Sequence, residues 1–256
     1  MPVTFYVFVS LMIHNPRGSL LSFGSGQFQQ GCFGEDKCTP TVLPIKEPCI
    51  AVAGGWHTII LSENGNAYGW GCNTSGQLQK EPSERPVTGT VIFNKAVSVV
   101  CGDKFSVITA QDGTFEVFGD LVLPEDFNAK CRHWAKFNTF VFLDDEQELL
   151  RVIQDGEELF YPFGEEIKKV VPSGDSIGVL GTDGHLFIFK GGEVTKEFEH
   201  IVDVDATFTK YIILNDDGLI MVFNGSLALQ VSGVAELPIS VFAGGAHMGC
   251  ITIRGT

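Results

Sequence analysis

A short pattern recurs along this chain and constrains its fold more than any other feature. Each copy combines an apolar strand, a turn that ends in glycine and a second strand rich in aromatic residues. The turn positions lie about 33 to 48 residues apart, a spacing typical of β-propeller blades. The copies are LMIHNPRGSLLSFG (11–24), TIILSENGNAYGWG (58–71), SVITAQDGTFEVFG (106–119), IGVLGTDGHLFIFK (177–190), YIILNDDGLIMVFN (211–224) and TFVFLDDEQELLRV (139–152), which lacks the turn glycine.

The turn chemistry supports an all-β ring. Asn-Gly and Asp-Gly pairs supply the positive φ values of two-residue hairpin loops, so each copy predicts a β-hairpin. One such hairpin cannot bury both of its faces, whereas a closed ring of them can. The last copy, FAGGAHMGCITIRGT (242–256), supplies one strand, and TFYVFV (4–9) resembles the second strand of a copy. We therefore predict one domain over residues 1–256, a seven-bladed propeller that the N-terminal strand closes by pairing into the C-terminal blade.

Charge and cysteine usage narrow the classes of partner. The formal net charge is −14, which repels nucleic-acid backbones and anionic membranes and favours a basic protein partner. The apolar run at 5–13 is shorter than the roughly 20 residues that a membrane helix needs. No two cysteines are spaced as C-x-x-C, which favours small buried side chains in a reducing compartment over a zinc site. We expect residence in the nucleus, the cytoplasm or both.

The stretch VAGGWHTIILSENGNAYGWGCNTSGQL (52–78) resembles the repeat of the regulator of chromosome condensation (RCC1) family. That pattern is a Gly-x-x-His-Thr start, a strand, an Asp/Asn-Gly turn, a Y-x-W-G strand and then N-x-x-G-Q-L. Parts of it recur as LLSFGSGQFQQGCFG (20–34), CGDKFSVITAQDGTFEVFG (101–119) and AGGAHMGCIT (243–252). The resemblance implies a β-propeller of the RCC1 type.

The resemblance also implies several kinds of partner. Within the family, propellers bind a JmjC-type oxygenase or a small zinc protein that serves Elongator and diphthamide synthesis, and the founding member exchanges nucleotide on the small GTPase Ran. In that exchange factor, acidic and polar residues line the loops that precede the inner strands. We refer to the six corresponding segments as the rim loops: 53–57, 101–105, 134–138, 172–176, 207–211 and 243–247.

The rim loops contain the candidate binding residues. Tryptophan is favoured at binding hot spots, so Trp56 and Trp134 are expected to contact a partner. His57 and His247 occupy equivalent repeat positions and are expected to be structural. Gly55 is expected to permit close backbone approach rather than phosphate binding. The charged rim candidates for partner binding are Asp103, Lys104, Asp175 and Lys210.

These observations predict a non-enzymatic scaffold that docks a protein partner on one face. No catalytic triad, P-loop or set of metal ligands occurs in the sequence, so we expect no catalytic residue, metal or cofactor. We expect a monomeric propeller within a hetero-complex, without direct contact to nucleic acid or membrane. One alternative is a guanine nucleotide exchange factor for a small GTPase of the Ran type. Another is a chromatin protein whose acidic face binds histone tails.

Overall fold

The computed structural model of this chain describes residues 10–14, 20–24, 37–43, 49–53, 55–79, 81–128, 131–144, 149–163, 166–245 and 247–254. All regular structure in these ranges is β-strand, and no helix there is long and apolar enough to cross a membrane. The strands are β1 (Ser10–His14), β2 (Leu20–Gly24), β3 (Lys37–Val42), β4 (Cys49–Ala53), β5 (His57–Ser62), β6 (Ala67–Asn73), β7 (Ser83–Phe93), β8 (Ala96–Cys101), β9 (Phe105–Ala110), β10 (Phe115–Gly119), β11 (His133–Lys136), β12 (Thr139–Asp144), β13 (Leu149–Gln154), β14 (Glu157–Pro162), β15 (Ile167–Ser173), β16 (Ser176–Gly181), β17 (Leu186–Lys190), β18 (Glu193–Phe198), β19 (Ile201–Ala206), β20 (Tyr211–Asn215), β21 (Ile220–Phe223), β22 (Ala228–Gln230), β23 (Pro238–Ala243) and β24 (Met248–Thr252).

The chain divides into two compact units, residues 1–132 and 133–256. In the first unit the described strands form the sheets β1–β3, β4–β7 and β8–β10, and in the second they form β11–β14, β15–β18, β19–β22 and β23–β24. Every sheet consists of consecutive strands paired antiparallel, as repeated hairpins require. All six sequence copies fold into the predicted hairpins, including the copy without a turn glycine, which supplies β12 and β13. The predicted closing strand at 4–9 lies outside the described residues.

The glycine turns differ from the predicted two-residue loops. In the turn between β5 and β6, Gly65 has a φ of 80° while Asn64 does not share its left-handed conformation. The Gly65 amide donates to the Ser62 carbonyl at 2.9 Å, and the Ser62 amide donates to the Asn66 carbonyl at 2.9 Å. This pattern is a three-residue loop in which glycine follows a type I turn. The same arrangement recurs at Gly113, Gly184 and Gly218.

The N-x-x-G-Q-L motif organises the loop after β6. The buried Asn73 side chain accepts the Leu78 and Gln79 amides at 2.8 and 2.9 Å and donates to the Glu81 carbonyl at 2.8 Å. These bonds fold the loop back, so that fully buried Leu78 joins the core of the first unit. The Gln77 carbonyl then accepts the Ser106 hydroxyl at 2.8 Å, which ties this loop to the next sheet.

Apolar side chains from neighbouring sheets form the cores of both units. In the first unit, Ile59 and Phe118 belong to one cluster that joins the sheets β4–β7 and β8–β10. In the second unit, one cluster joins β11–β14 to β15–β18 around Val141, and another joins β15–β18 to β19–β22 around Ile213. The strands β5 and β9 are buried along their whole lengths, because both of their faces are covered.

Candidate functional site

The rim loops lie at equivalent positions in six sheets. Among the described residues, each joins the first strand of its sheet to the second, for example β4 to β5 and β19 to β20. The glycine turns at Gly65, Gly113, Gly184 and Gly218 join second strands to third strands and therefore lie at the opposite ends of the same sheets. The two sets of loops thus form different surfaces of each unit.

In the first unit, Trp56 and Asp103 belong to neighbouring rim loops that pack closely. A Cβ atom on Gly55 would lie 2.4 Å from Oδ1 of Asp103, so a larger residue there would displace the Asp103 carboxyl group. Trp56 is half-buried, and its carbonyl accepts the Cys72 amide at 2.9 Å. Partial burial raises the pKa of Asp103, and the adjacent Lys104, which is exposed, offsets part of that increase. This rim therefore presents an indole, a carboxyl group and an ammonium group.

His57 lies beneath this rim and is structural, as its repeat position suggests. The ring is fully buried, and its Nε2 lies 2.8 Å from Oγ of Ser106. Because the Ser106 hydroxyl donates to the Gln77 carbonyl, Nε2 is the donor in that contact. Burial lowers the pKa of His57 to about 4, against a smaller opposing effect of the Asp103 backbone. The imidazole is therefore neutral at physiological pH and links two sheets.

In the second unit, three rim loops contact one another directly. Oγ of Ser173 donates to the Thr207 carbonyl at 2.8 Å, and the Phe208 amide donates to the Gly245 carbonyl at 3.4 Å. A Cβ on Gly174 would lie 2.4 Å from the Phe208 carbonyl oxygen. The Phe208 ring meets the buried Phe137 ring edge-to-face, with centroids 5.3 Å apart, yet remains 52% exposed. Phe208 is thus an exposed aromatic group on a firmly held loop.

Trp134 does not lie on a loop as predicted, and its role as a partner contact stays a prediction. Trp134 lies in β11, paired with Val141, and packs against the core cluster around that residue instead of lying on a loop. Its strand pattern, HWAK, is too short to be distinguished from a loop in the sequence. Asp175 and Lys210 are exposed rim residues as predicted, although the Asp175 carboxylate pairs with Nζ of Lys190 at 2.5 Å.

Two aspartates of β19 were missed in the sequence. Oδ1 of Asp205 lies 2.5 Å from Nζ of Lys136, and Oδ2 accepts the Ala243 amide at 2.7 Å. Asp203 in the same way pairs with Lys169 at 2.9 Å and accepts the Val241 amide at 3.0 Å. Their i, i+2 spacing in IVDVDA, which places both on one face of a strand, is the signal that could have revealed them.

These carboxylates connect the first strands of neighbouring sheets. Both are mostly buried, and each binds a backbone amide of β23. His247 lies close to the Lys136–Asp205 pair; burial and the Lys136 charge lower its pKa, and Asp205 opposes this effect. These interactions hold strands of neighbouring sheets together. In the described part of the chain, no group of three or more His, Cys, Asp or Glu residues is placed to hold a metal ion.

Residues 50–77 match the Regulator of chromosome condensation (RCC1) repeat. This chain carries an RCC1 repeat. The regulator of chromosome condensation of Mus musculus is 33% identical over 120 residues, which cover 43% of this chain and 28% of the relative. That of Xenopus laevis is 34% identical over 110 residues, which cover 40% and 26%. The predicted resemblance to the RCC1 repeat family is therefore confirmed, while the chain matches only about a quarter of the length of these relatives.

Solved RCC1-like structures confirm the fold class. Prp20p of Saccharomyces cerevisiae, a protein studied for its binding to Gsp1p and histones, superposes with a TM-score of 0.71 at 17% identity, over 92% of this chain and 78% of Prp20p. Human WBSCR16 superposes with a TM-score of 0.69 at 14% identity, over 91% of this chain and 81% of WBSCR16. These structures share the all-β propeller architecture of the RCC1 type. The number of blades and the closure of the ring stay predictions.

Proposed function

We propose that this chain is a non-enzymatic docking protein whose rim loops bind a partner protein. The observation that carries the proposal is Phe208. An aromatic ring that is 52% exposed and fixed from below by Phe137 is available for burial in a complex. Its loop is closed by the Thr207 amide, which donates to the Lys210 carbonyl at 2.8 Å, and by the Lys210 amide, which donates to Oγ1 of Thr207 at 3.1 Å. Because the loop is already ordered, binding a partner costs it little conformational entropy.

Charged groups on the rim loops of each unit would set the choice of partner. Lys210 and the Asp175–Lys190 pair are exposed on the second unit, and Lys104 and half-buried Asp103 lie on the rim of the first. Such rim charges affect association rate and specificity more than affinity. The net charge of −14 favours a partner with a basic surface and predicts weaker association at high salt.

The test begins with capture of the stoichiometric partner from native lysate, followed by titration of the purified partner. Phe208→Ala is expected to raise the Kd about 30-fold, because an aromatic hot spot contributes about 2 kcal/mol or more. Trp56→Ala tests the rim of the first unit in the same way. Leu219→Ala is the matched control, since Leu219 is an exposed apolar residue on a hairpin turn at the opposite end of its sheet. Loss of binding in Leu219→Ala with wild-type binding in both aromatic variants would contradict the proposal.

Nucleotide exchange on a small GTPase is the second candidate function. Exchange is supported by the similarity to regulators of chromosome condensation and to Prp20p, a protein studied for its binding to Gsp1p. The rim offers few acidic groups for it, because Asp175 is already paired with Lys190 and Asp103 is half-buried. A panel of GDP-loaded small GTPases, including Gsp1p, separates the two functions. If the chain accelerates GDP release from any of them, it acts as an exchange factor and the docking proposal is wrong.

A further inference from the structure

The sheet β8–β10 is incomplete at its outer edge. It has three strands, whereas the sheets β4–β7, β11–β14, β15–β18 and β19–β22 each have four. After β10 the chain continues through residues 120–128 without forming a strand. β10 therefore lies at the position that an interior third strand occupies in the four-stranded sheets, whereas β1–β3 and β23–β24 also have fewer than four described strands.

The backbone of β10 has hydrogen-bonding groups that point away from its sheet. The Ala110 amide donates to the Thr114 carbonyl, and the Asp120 amide donates to the Lys104 carbonyl, which fixes the alternation along the β9–β10 pair. Because paired and outward residues alternate in antiparallel strands, the amide and carbonyl groups of Phe115 and Val117 face outward. No backbone hydrogen bond from another described residue reaches these four groups.

β10 lacks three of the features that protect edge strands in other proteins. Proteins block exposed edges with proline, with lysine or by shortening the strand. Among the outermost strands of the complete sheets, β7 contains Pro86, β14 ends in Pro162, β18 contains Lys196 and β22 has only three residues. β10, with the sequence FEVFG, has neither proline nor lysine and has five residues.

Apolar and acidic side chains lie along this edge. Phe115 is 38% exposed, and Val122, just beyond the end of the strand, is 85% exposed. Phe127 packs edge-to-face on Phe115, with ring centroids 4.9 Å apart, and so backs one side of the edge. No lysine or arginine occurs between residues 112 and 128, whereas the acidic residues of that segment are Asp112, Glu116, Asp120, Glu125 and Asp126.

We propose that β10 accepts an extended, basic segment of a partner protein as the fourth strand of its sheet. Main-chain bonds to Phe115 and Val117 provide affinity, and alternate apolar side chains of the incoming segment pack beside Phe115 and Val122. A second copy of this chain is a poor occupant, since each copy carries a net charge of −14 and an acidic segment around β10. This edge meets the rim loop 101–105 only at the end of β10, where the Asp120 amide bonds the Lys104 carbonyl, and the proposal does not rest on the proposed function.

The test uses a defined probe with the full-length chain. A fluorescein-labelled heptapeptide of alternating lysine and valine is titrated at low salt and followed by fluorescence anisotropy. Two matched peptides are compared with it: alternating glutamate and valine, and the lysine–valine peptide N-methylated at every residue, which keeps the charge but loses the amide donors. We expect saturable binding of the lysine–valine peptide. The Kd should be at least about tenfold higher for the glutamate–valine peptide and for the N-methylated peptide.

Variants of the chain locate the binding edge. Val117→Pro removes an outward amide at a position where an edge strand tolerates proline, and Asp120→Lys with Glu125→Lys reverses local charge. Both are expected to raise the Kd at least about tenfold. Glu193→Lys with Glu197→Lys on β18, the outer strand of a complete sheet, is the charge-matched control and is expected to leave the Kd unchanged.

Several results would overturn the proposal. They are the absence of saturable binding, equal binding of the N-methylated peptide, and equal weakening by the β18 control. Sedimentation showing a dimer that Val117→Pro abolishes would instead assign the edge to a second copy of this chain. Circular dichroism shows whether Val117→Pro is folded. If it is not, the proposal is tested by comparing the Kd of the N-methylated peptide with that of the unmodified peptide.

Discussion

The buried imidazole of His57 predicts a specific acid sensitivity. The pKa of His57 is about 4 in the folded chain against an ordinary value of 6.5, because burial disfavours the charged ring. Between these values the unfolded chain binds more protons than the folded chain, so the free energy of unfolding falls as the pH drops from 6.5 towards 4. At about 1.4 kcal/mol per pH unit, the contribution lost is about 3 kcal/mol.

The variant His57→Asn isolates this contribution. At neutral pH it should be less stable than the wild type by about 1 to 3 kcal/mol, because the bond to Ser106 is lost in the interior. The variant lacks the titrating ring, so the wild type should lose about 2 to 3 kcal/mol more stability than the variant between about pH 7.5 and about pH 4.5. Urea unfolding, followed by tryptophan fluorescence across this range, measures both quantities.

A matched control separates titration from packing. Ile59→Val, two residues along the same buried strand, removes one methylene without changing any ionisable group. Its cost, about 1 kcal/mol, should stay constant with pH. If the difference in unfolding free energy between the wild type and His57→Asn also stays constant with pH, His57 is not a buried neutral ring.

Other predictions concern stability and closure. Asp205→Asn leaves Lys136 without its mostly buried partner and is expected to cost about 3 kcal/mol in urea unfolding; a change below about 0.5 kcal/mol would contradict the assigned role. Gly119→Ala and Gly225→Ala both place alanine at a positive φ, but only at Gly119 would the new Cβ meet a backbone carbonyl oxygen, at 2.0 Å. The melting temperature should therefore fall clearly further for Gly119→Ala, and equal losses would show that the close contact is unimportant. Deletion of residues 1–9 is expected to unfold the domain, and a truncated chain that melts like the full chain would refute N-terminal closure.

The sequence predicts hairpins well because their signals are local. Alternating apolar strands around Asp-Gly or Asn-Gly turns specify each hairpin within about 14 residues, and every predicted copy pairs as expected. The loop type could not be predicted as reliably. The same dipeptides suit two-residue loops and three-residue loops with a glycine in the left-handed region, and only the hydrogen bonds around Gly65 distinguish them.

The candidate site was predictable in outline but not residue by residue. The repeat register places the rim loops correctly, because each precedes the second strand of a sheet. The sequence does not reveal that Trp134 lies in a strand, since the four-residue strand β11 has no pattern long enough to predict it. The sequence does not single out Phe208, because the position of its ring depends on Phe137, which lies about 70 residues away along the chain.

The central proposal is that the rim loops dock a partner protein without catalysis. Hydrogen–deuterium exchange of the chain, alone and with its stoichiometric partner, tests this most directly. The account predicts slowed exchange at 207–211 and at 101–105, with the turns at 182–185 and 216–219 unchanged. Protection confined to those turns would contradict it.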